Sequence, residues 1–431
     1  MQIVIGIQIL LFVFVLVYLF RPKLTFRFPG SAISVPEWSS YAGNAHPAKQ
    51  DSLEIAVSEP DEEDIVGELP IILPRRGGAY HIKVFYEQTG RTNPSFDDAQ
   101  CYLDIYGADS HFLFDQQKLY DNASVSEGIV WALPFPQEID AHFYLINKGA
   151  GDIVIRSVEV EESTLFCFGL IVLYLSFCVT FWVVIWLVQR SSSKEQMVLL
   201  ALAAILFVCS YPLFSKGTYD TKDLLFHLKR IGNLSQAISH GDWHAWYEMN
   251  VANGYGYVEQ IFYPQFLIHI PAILYLLDIP LYVSYKIYLL ILNLLTVGVS
   301  YWSFRRIFQS RAYGVLSTAL YSLATYRFLN LFGMNALGEL AAKIFLPLLC
   351  YGLWKVFKEE KPSTKLQDYV PLMISGIGLV FSHVLTCEFL LLYVPLFLLM
   401  NWRRCISVGS IKCLIQSVFV VFMCGFGFII P

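Results

Sequence analysis

Asp223 and His227 stand four residues apart in the stretch YDTKDLLFHLKRI, with Arg230 three residues further on and Asp220 three residues before. On a helix turning ~100° per residue, Asp223, His227 and Arg230 fall within ~60° of one another, and Asp220 sits at the edge of the stripe. A carboxylate steadied by an imidazole is a general base. The same pair is also a start on a site for a divalent cation such as Mg or Mn. The bland alternative is a solvated polar face holding an ordinary i,i+4 pair, and periodicity alone favours it. Leu224, Leu228 and Ile231 form the neighbouring apolar stripe, which suits a helix lying on a membrane surface.

Further ionisable groups stand at the ends of apolar runs: Lys286, Arg327, Glu339 with Lys343 one helical turn later, and His383. At membrane depth such groups are costly, and they usually face a bundle interior or an aqueous cavity. Snorkelling and a local Glu339–Lys343 pair are the simpler reading. If the groups converge, cations beside acids suit a lipid phosphate as leaving group.

The elements that must position these residues are mostly membrane-like. Of 431 residues 56% are hydrophobic and 15% charged, well below the charge content of an ordinary soluble domain. Residues 3–20 form an uncharged run without the basic start or small-residue cleavage pattern of a signal peptide, so residues 1–23 read as an uncleaved anchor. From residue 164 the apolar runs 164–189, 196–214, 282–303, 312–328, 340–357, 369–385, 387–402 and 411–430 read as spans. The pair 369–385 and 387–402 is one long run, split at Ser382-His383 because about 30 residues would overfill a bilayer. The last run reaches Pro431 without a polar tail, as in a chain cut short.

Basic clusters lie at Arg190/Lys194, Arg305/Arg306/Arg311, Lys355/Lys358/Lys361/Lys365 and Arg403/Arg404/Lys412. Placing all four in the cytoplasm closes the count of crossings only if residues 263–279 do not cross. Residues 216–281 are then one outer loop of the helical domain 164–431, and the candidate acids and cations face one leaflet. The competing arrangement puts the amino-terminal soluble region in the cytoplasm, lets 263–279 cross and misplaces only Arg190/Lys194; Arg21, Lys23 and Arg27 favour it, as do Lys216, Lys222, Lys229 and Arg230.

Residues 24–163 differ in kind. Alternating segments at 79–88, 99–107, 128–135, 142–149 and 152–162, bounded by Gly, Pro, Asn and Asp, predict an antiparallel β-sandwich. It resembles the jelly-roll sandwiches of carbohydrate-binding modules. Trp38, Tyr41, Tyr106 and Trp131 are candidates to stack on sugar rings, although aromatics in sandwiches are more often core. Of nine cysteines only Cys101 lies in this region, and no C-x-x-C pair occurs, so neither disulfides nor a zinc site is expected.

The combination DLLFHLKRI, GYGY with FYP, TYR with ALGE, and FSH over residues 196–400 resembles the bacterial YfhO-like and 6-pyruvoyl-tetrahydropterin-synthase-related membrane proteins of the GT-C glycosyltransferase superfamily. That resemblance implies a GT-C-like helical core in the bacterial plasma membrane, with sandwich and loop extracytoplasmic. It implies transfer of a sugar from a polyprenyl-phosphate donor to a glycan or lipid acceptor in cell-envelope assembly. Asp223 would be the catalytic acidic residue and Asp220 its reserve, with 263–279 a second surface helix. Arg230, Lys286, Arg327, Glu339 and His383 would then bind substrate, and His227 would steady the base. One departure is the sandwich, which stands ahead of the core, whereas soluble domains of these enzymes more often trail it. The alternatives are a non-catalytic scaffold or transporter that binds lipid phosphate, and a sensor whose sandwich is the active part. No feature points to nucleic acid.

Overall fold

The computed structural model describes residues 2–19, 23–37, 45–48, 51–55, 64–72, 78–89, 101–107, 110–119, 124–132, 140–147, 152–163, 165–190, 192–214, 222–245, 247, 258, 263–358, 366–405 and 407–429. The chain divides into two compact units. The first is Met1–Phe181 with Tyr247–Tyr257 and Leu274–Leu281; the second is Trp182–Trp246, Val258–Ile273 and Tyr282–Pro431.

In the first unit, antiparallel strands make two sheets. One is six-stranded: β2 (Ala45–Ala48), β3 (Ser52–Ile55), β10 (Asp152–Glu162), β5 (Gly78–Thr89) and β8 (Val125–Ala132) in order, with β1 (Thr25–Pro29) also paired to β10. The other runs β4 (Asp64–Ile72), β9 (Asp140–Asn147), β6 (Cys101–Gly107), β7 (Ser110–Leu119). Alternate residues of both sheets fill one core. Tyr80, Ile82 and Val84 of β5 and Ile153, Ile155 and Val158 of β10 share it with Leu69 and Ile71 of β4 and Leu103 and Ile105 of β6. Strand β10 is central, and its inward phase changes midway. Ile153, Ile155 and Ser157 are buried, then Val158, Val160 and Glu162, because a bulge at Ile155/Ser157 resets which residues point inward. Gly30 crosses β10 so closely that a Cβ there would lie 2.0 Å from the Ile155 carbonyl oxygen, so no other residue fits.

Helix α1 (Gln2–Leu19) lies beside the start of α2 (Leu165–Arg190): Phe12 stacks on Tyr174 at 6.2 Å, and the Tyr174 hydroxyl donates to the Gln8 carbonyl.

The second unit is helical: α3 (Ser193–Ser210), α4 (Leu224–Ser239), α5 (His269–Leu276, whose residues from Leu274 on are assigned to the first unit), α6 (Leu281–Phe308), α7 (Arg311–Ser322), α8 (Thr325–Phe328), α9 (Leu337–Lys358), α10 (Leu366–Val380), α11 (Val384–Met400), α12 (Trp402–Cys405) and α13 (Val408–Ile429). Ser192 and Glu195 close α3 with a capping box. Among the described residues, four helices are long and apolar enough to cross a membrane: Ser193–Phe214, Leu281–Phe308, Leu337–Val356 and Val408–Phe426. Their surfaces suit lipid. Large apolar side chains point outward (Leu200 of α3 is 72% exposed), while Ser284, Asn293, Thr296, Ser300 and Ser303 of α6 are fully buried. Small polar residues inside and apolar ones outside let helices pack closely where the solvent is hydrocarbon.

The expected run 312–328 is not one helix. It breaks after Ser322, and the twelve residues of α7 rise only ~18 Å, short of a bilayer. Residues 263–279 hold a short 3₁₀ turn and the eight-residue α5, also too short to cross. The run 366–400 is interrupted between Val380 and Val384, at the Ser382-His383 step.

Candidate functional site

Asp223 is the N-cap residue of α4, and its carboxylate makes no capping hydrogen bond. It is half-buried. Its backbone N–H donates to the Met334 carbonyl at 3.2 Å, which fixes the start of α4 to the π-helical turn Leu329–Met334. Asn335 follows that turn in the left-handed region (φ 58°), which asparagine tolerates better than most residues. Its Oδ1 accepts from the Tyr285 hydroxyl at 2.8 Å. Lys286 is the next residue on α6 and is half-buried. Asp220 lies outside the described residues, as do Trp38, Tyr41 and the side chains of Tyr106 and Trp131.

The stripe of α4 does not face solvent. His227 is 4% exposed and Arg230 3%, alongside Leu224, Leu228 and Ile231. The expectation of a solvated polar face, or of a helix offering its apolar side to lipid, therefore gives way to a helix buried on both stripes. His227 and Asp223 are joined through the backbone, N–H to carbonyl at 3.0 Å. Burial, then the charges of Arg230 and His383, push the His227 imidazole down to about 3, so it is neutral at physiological pH. Arg230 donates to the carbonyls of Tyr263 (3.2 Å) and Pro264 (3.5 Å), and its guanidinium lies 5.1 Å from the Tyr263 ring. It ties α4 to the segment that leads into α5.

Arg327 is 2% exposed and points into the protein. Its guanidinium donates to Asn293 Oδ1 and to the Ser322 carbonyl, while Asn293 Nδ2 donates to the Cys209 carbonyl (3.2 Å) and Ser210 Oγ (3.1 Å). The break after Ser322 is what turns Arg327 inward to this network. Glu339 and Lys343 do form the i,i+4 pair, at 3.2 Å, under the ring of Tyr326, whose hydroxyl donates to Glu339 at 3.3 Å. His383 is the N-cap residue of α11 and pairs through Nδ1 with Thr386 Oγ1 at 2.8 Å. Its ring lies against Gly338, where a Cβ would approach it to 2.9 Å. Burial lowers its pKa, the Glu339 carboxylate opposes this and the Lys343 charge adds to it. The structure thus gathers His227, His383, Glu339 and Lys343 into one electrostatic neighbourhood. It sets Asp223 beside Asn335 and Tyr285, and commits Arg230 and Arg327 to internal carbonyls. Among the described residues, no three His, Cys, Asp or Glu side chains converge to hold a metal.

Tyr285, Asn293 and Asn335 were missed in the sequence. Asn293 had a readable signal, because an amide in the middle of an apolar helix must find a partner.

A second constellation, in the first unit, had none. His81 Nε2 lies 2.9 Å from Asp278 Oδ2, and the Ser163 hydroxyl donates to the same oxygen. His81 Nδ1 makes an ion-pair contact with Glu127 at 2.7 Å. Ser163 Oγ also accepts from the Phe166 N–H at 3.1 Å, which caps α2. Burial opposes protonation of His81, but the two carboxylates outweigh it and raise its pKa to about 9. Because Ser163 donates to the aspartate and not to the imidazole, this is a clasp and not a nucleophile with its base.

No family model matches the chain. A protein of undescribed activity from Lactococcus lactis subsp. cremoris (strain MG1363) is 23% identical over 199 residues. The match takes in 45% of this chain and 32% of that protein, so the chain spans about a third of its relative's length. Among solved structures, the C-terminal CBM6 of the marine laminarinase LamC from Zobellia galactanivorans is 10% identical (TM-score 0.23), over 32% of this chain and 98% of that one. The Gap123 glycosylation-associated complex from Streptococcus agalactiae is 12% identical (TM-score 0.22), over 34% of this chain and 26% of that one. A CBM4 module is 13% identical (TM-score 0.22), over 32% of this chain and 86% of that one.

Proposed function

We propose that this chain is a plasma-membrane protein of lipid-linked sugar chemistry. In this reading it transfers a sugar from a polyprenyl-phosphate donor to an extracytoplasmic acceptor, and the sandwich holds glycan. The observation that carries the reading is Asp223. It is a half-buried carboxylate at a helix N-cap that does not cap its helix, and its backbone is pinned to the turn before Asn335. In the reaction Asp223 takes the proton of an acceptor hydroxyl as the hydroxyl oxygen attacks the anomeric carbon. The bond from that carbon to the lipid phosphate oxygen breaks, and configuration inverts. Lys286 supplies positive charge to the departing phosphate. His227, neutral and buried, sets the orientation of α4, and Glu339 with His383 shapes the neighbouring wall. Arg230 and Arg327 act as internal braces.

The test uses purified full chain with a radiolabelled polyprenyl-phosphate sugar and a soluble acceptor. Asp223→Asn is expected to lower turnover by about 10²–10⁴-fold with unchanged melting temperature. A fully active Asp223→Asn protein ends the assignment. A second reading, a non-catalytic carrier, draws on the internal commitment of Arg327 and Arg230, which turns both guanidiniums away from a departing phosphate. It predicts saturable donor binding, no acceptor-dependent turnover, and indifference to Asp223→Asn.

A further inference from the structure

The ends of α6 and α9 remote from the candidate site hold a cavity of about 860 Å³. Gly298, which lines it, stands twelve residues beyond Lys286, ~18 Å along α6. Arg305, Arg306, Arg311 and Lys355 line it with Trp302 and Tyr351, and among the described residues no carboxylate does. Glu195 of α3 pairs with Arg311 at 2.8 Å. The guanidinium of Arg306 lies 4.0 Å over the Trp302 ring, and Trp302 meets Tyr351 edge-on at 5.0 Å, which joins α6 to α9 at this level. Arg305 is held in place from behind: α7 packs Gly314 against its backbone, where a Cβ would come within 3.1 Å of the Arg305 Cα.

Cations gathered around one cavity favour an anion among them, and Glu195, which pairs with Arg311 and lies within electrostatic reach of Arg305, answers part of that charge. Arginine supplies planar donors that match phosphate oxygens in pairs. Tryptophan and tyrosine mark the depth where headgroups meet hydrocarbon, and basic pockets between membrane helices take lipid phosphate. A Cβ built on Gly298 meets nothing within 4 Å, so the cavity floor is open at that position.

We propose that this cavity binds a phosphate-bearing anion at the polar end of the helices, gripped by Arg305, Arg306 and Lys355. The proposal requires only that α6 and α9 span a bilayer and does not depend on sugar transfer. Full chain purified in detergent is examined by native mass spectrometry with phosphatidylglycerol, phosphatidylcholine or inorganic phosphate as probe. Retention of phosphatidylglycerol over phosphatidylcholine is expected. Arg305→Gln and Arg306→Gln are each expected to weaken it about fivefold. Gly298→Leu changes no charge, improves helix propensity and fills the floor, so it is expected to remove binding while elution volume and melting temperature hold. If inorganic phosphate binds, and Gly298→Leu excludes it too, the same site serves a soluble phosphate ester. Equal retention of both lipids with no phosphate binding, no binding of any probe, or undiminished binding by Gly298→Leu overturns the proposal.

Discussion

Arg327 shows how a single side chain changes meaning with the direction it faces. At the outer end of a continuous span it would meet a lipid phosphate; turned inward, it closes hydrogen bonds between α6 and the end of α7. Its removal leaves Asn293 Oδ1 and the Ser322 carbonyl short of a buried donor. Arg327→Gln is therefore expected to destabilise the protein by about 2–3 kcal/mol, seen as a lowered melting temperature, with donor binding by the folded fraction intact. Loss of binding at unchanged melting temperature would return Arg327 to the site. His81 makes a prediction of the opposite kind, in pH. Its folded pKa, about 9, lies above the ordinary histidine value, so the folded state holds the proton more tightly. The stabilisation is complete below about pH 6.5 and is lost as pH rises through about 9. Asp278 has φ 59°, a conformation asparagine accepts, so Asp278→Asn removes the charge without straining the turn. Its melting temperature is expected to fall less than that of the wild type between about pH 7 and about pH 10.

At the scale of elements, helix contacts depend on missing side chains. A Cβ on Gly352 of α9 would stand 2.9 Å from the Leu372 Cα of α10, a backbone atom with no room to give. Gly352→Ala is expected to cost about 1–3 kcal/mol in thermal unfolding although alanine is the better helix former. The long helices and the break at Ser382-His383 were legible because hydrophobic run length reports them directly. Strands were legible where alternation is clean, as in Gly78–Thr89 and Asp152–Glu162. They were hidden where Gly67 and Pro70 interrupt Asp64–Ile72, or where the polar end of Ser110–Leu119 blurs the alternation. The stripe of α4 was legible as geometry but not as environment. Spacing sets Asp223, His227 and Arg230 on one side, whereas their burial depends on elements as distant in sequence as Tyr263 and His383.

For the whole molecule, the two units respond to pH from opposite sides. His227 in the helical unit has a folded pKa near 3, below the ordinary value, so the unfolded state binds the proton first and stability falls as pH drops from about 6.5 toward 3. His81 in the sandwich unit acts on the alkaline side. Unfolding of the helical unit is expected to come earlier in acid and that of the sandwich unit earlier in alkali, resolved by hydrogen exchange at the two sites. His227→Gln is expected to flatten only the acid side. The clasp behind the alkaline limb joins residues 197 apart in sequence, His81 and Asp278, which is why no local pattern announced it.

That separation bears on how the chain is made. The sandwich strands end at Glu162, yet their unit also includes Leu274–Leu281. During synthesis the strands must wait for more than a hundred further residues before Asp278 arrives to meet Ser163 and His81. Until then His81 lacks the carboxylate that holds its proton most directly, and Ser163 lacks its acceptor. A ribosome-bound chain stopped before residue 270 is thus expected to carry a looser, more protease-sensitive sandwich than one released beyond residue 285.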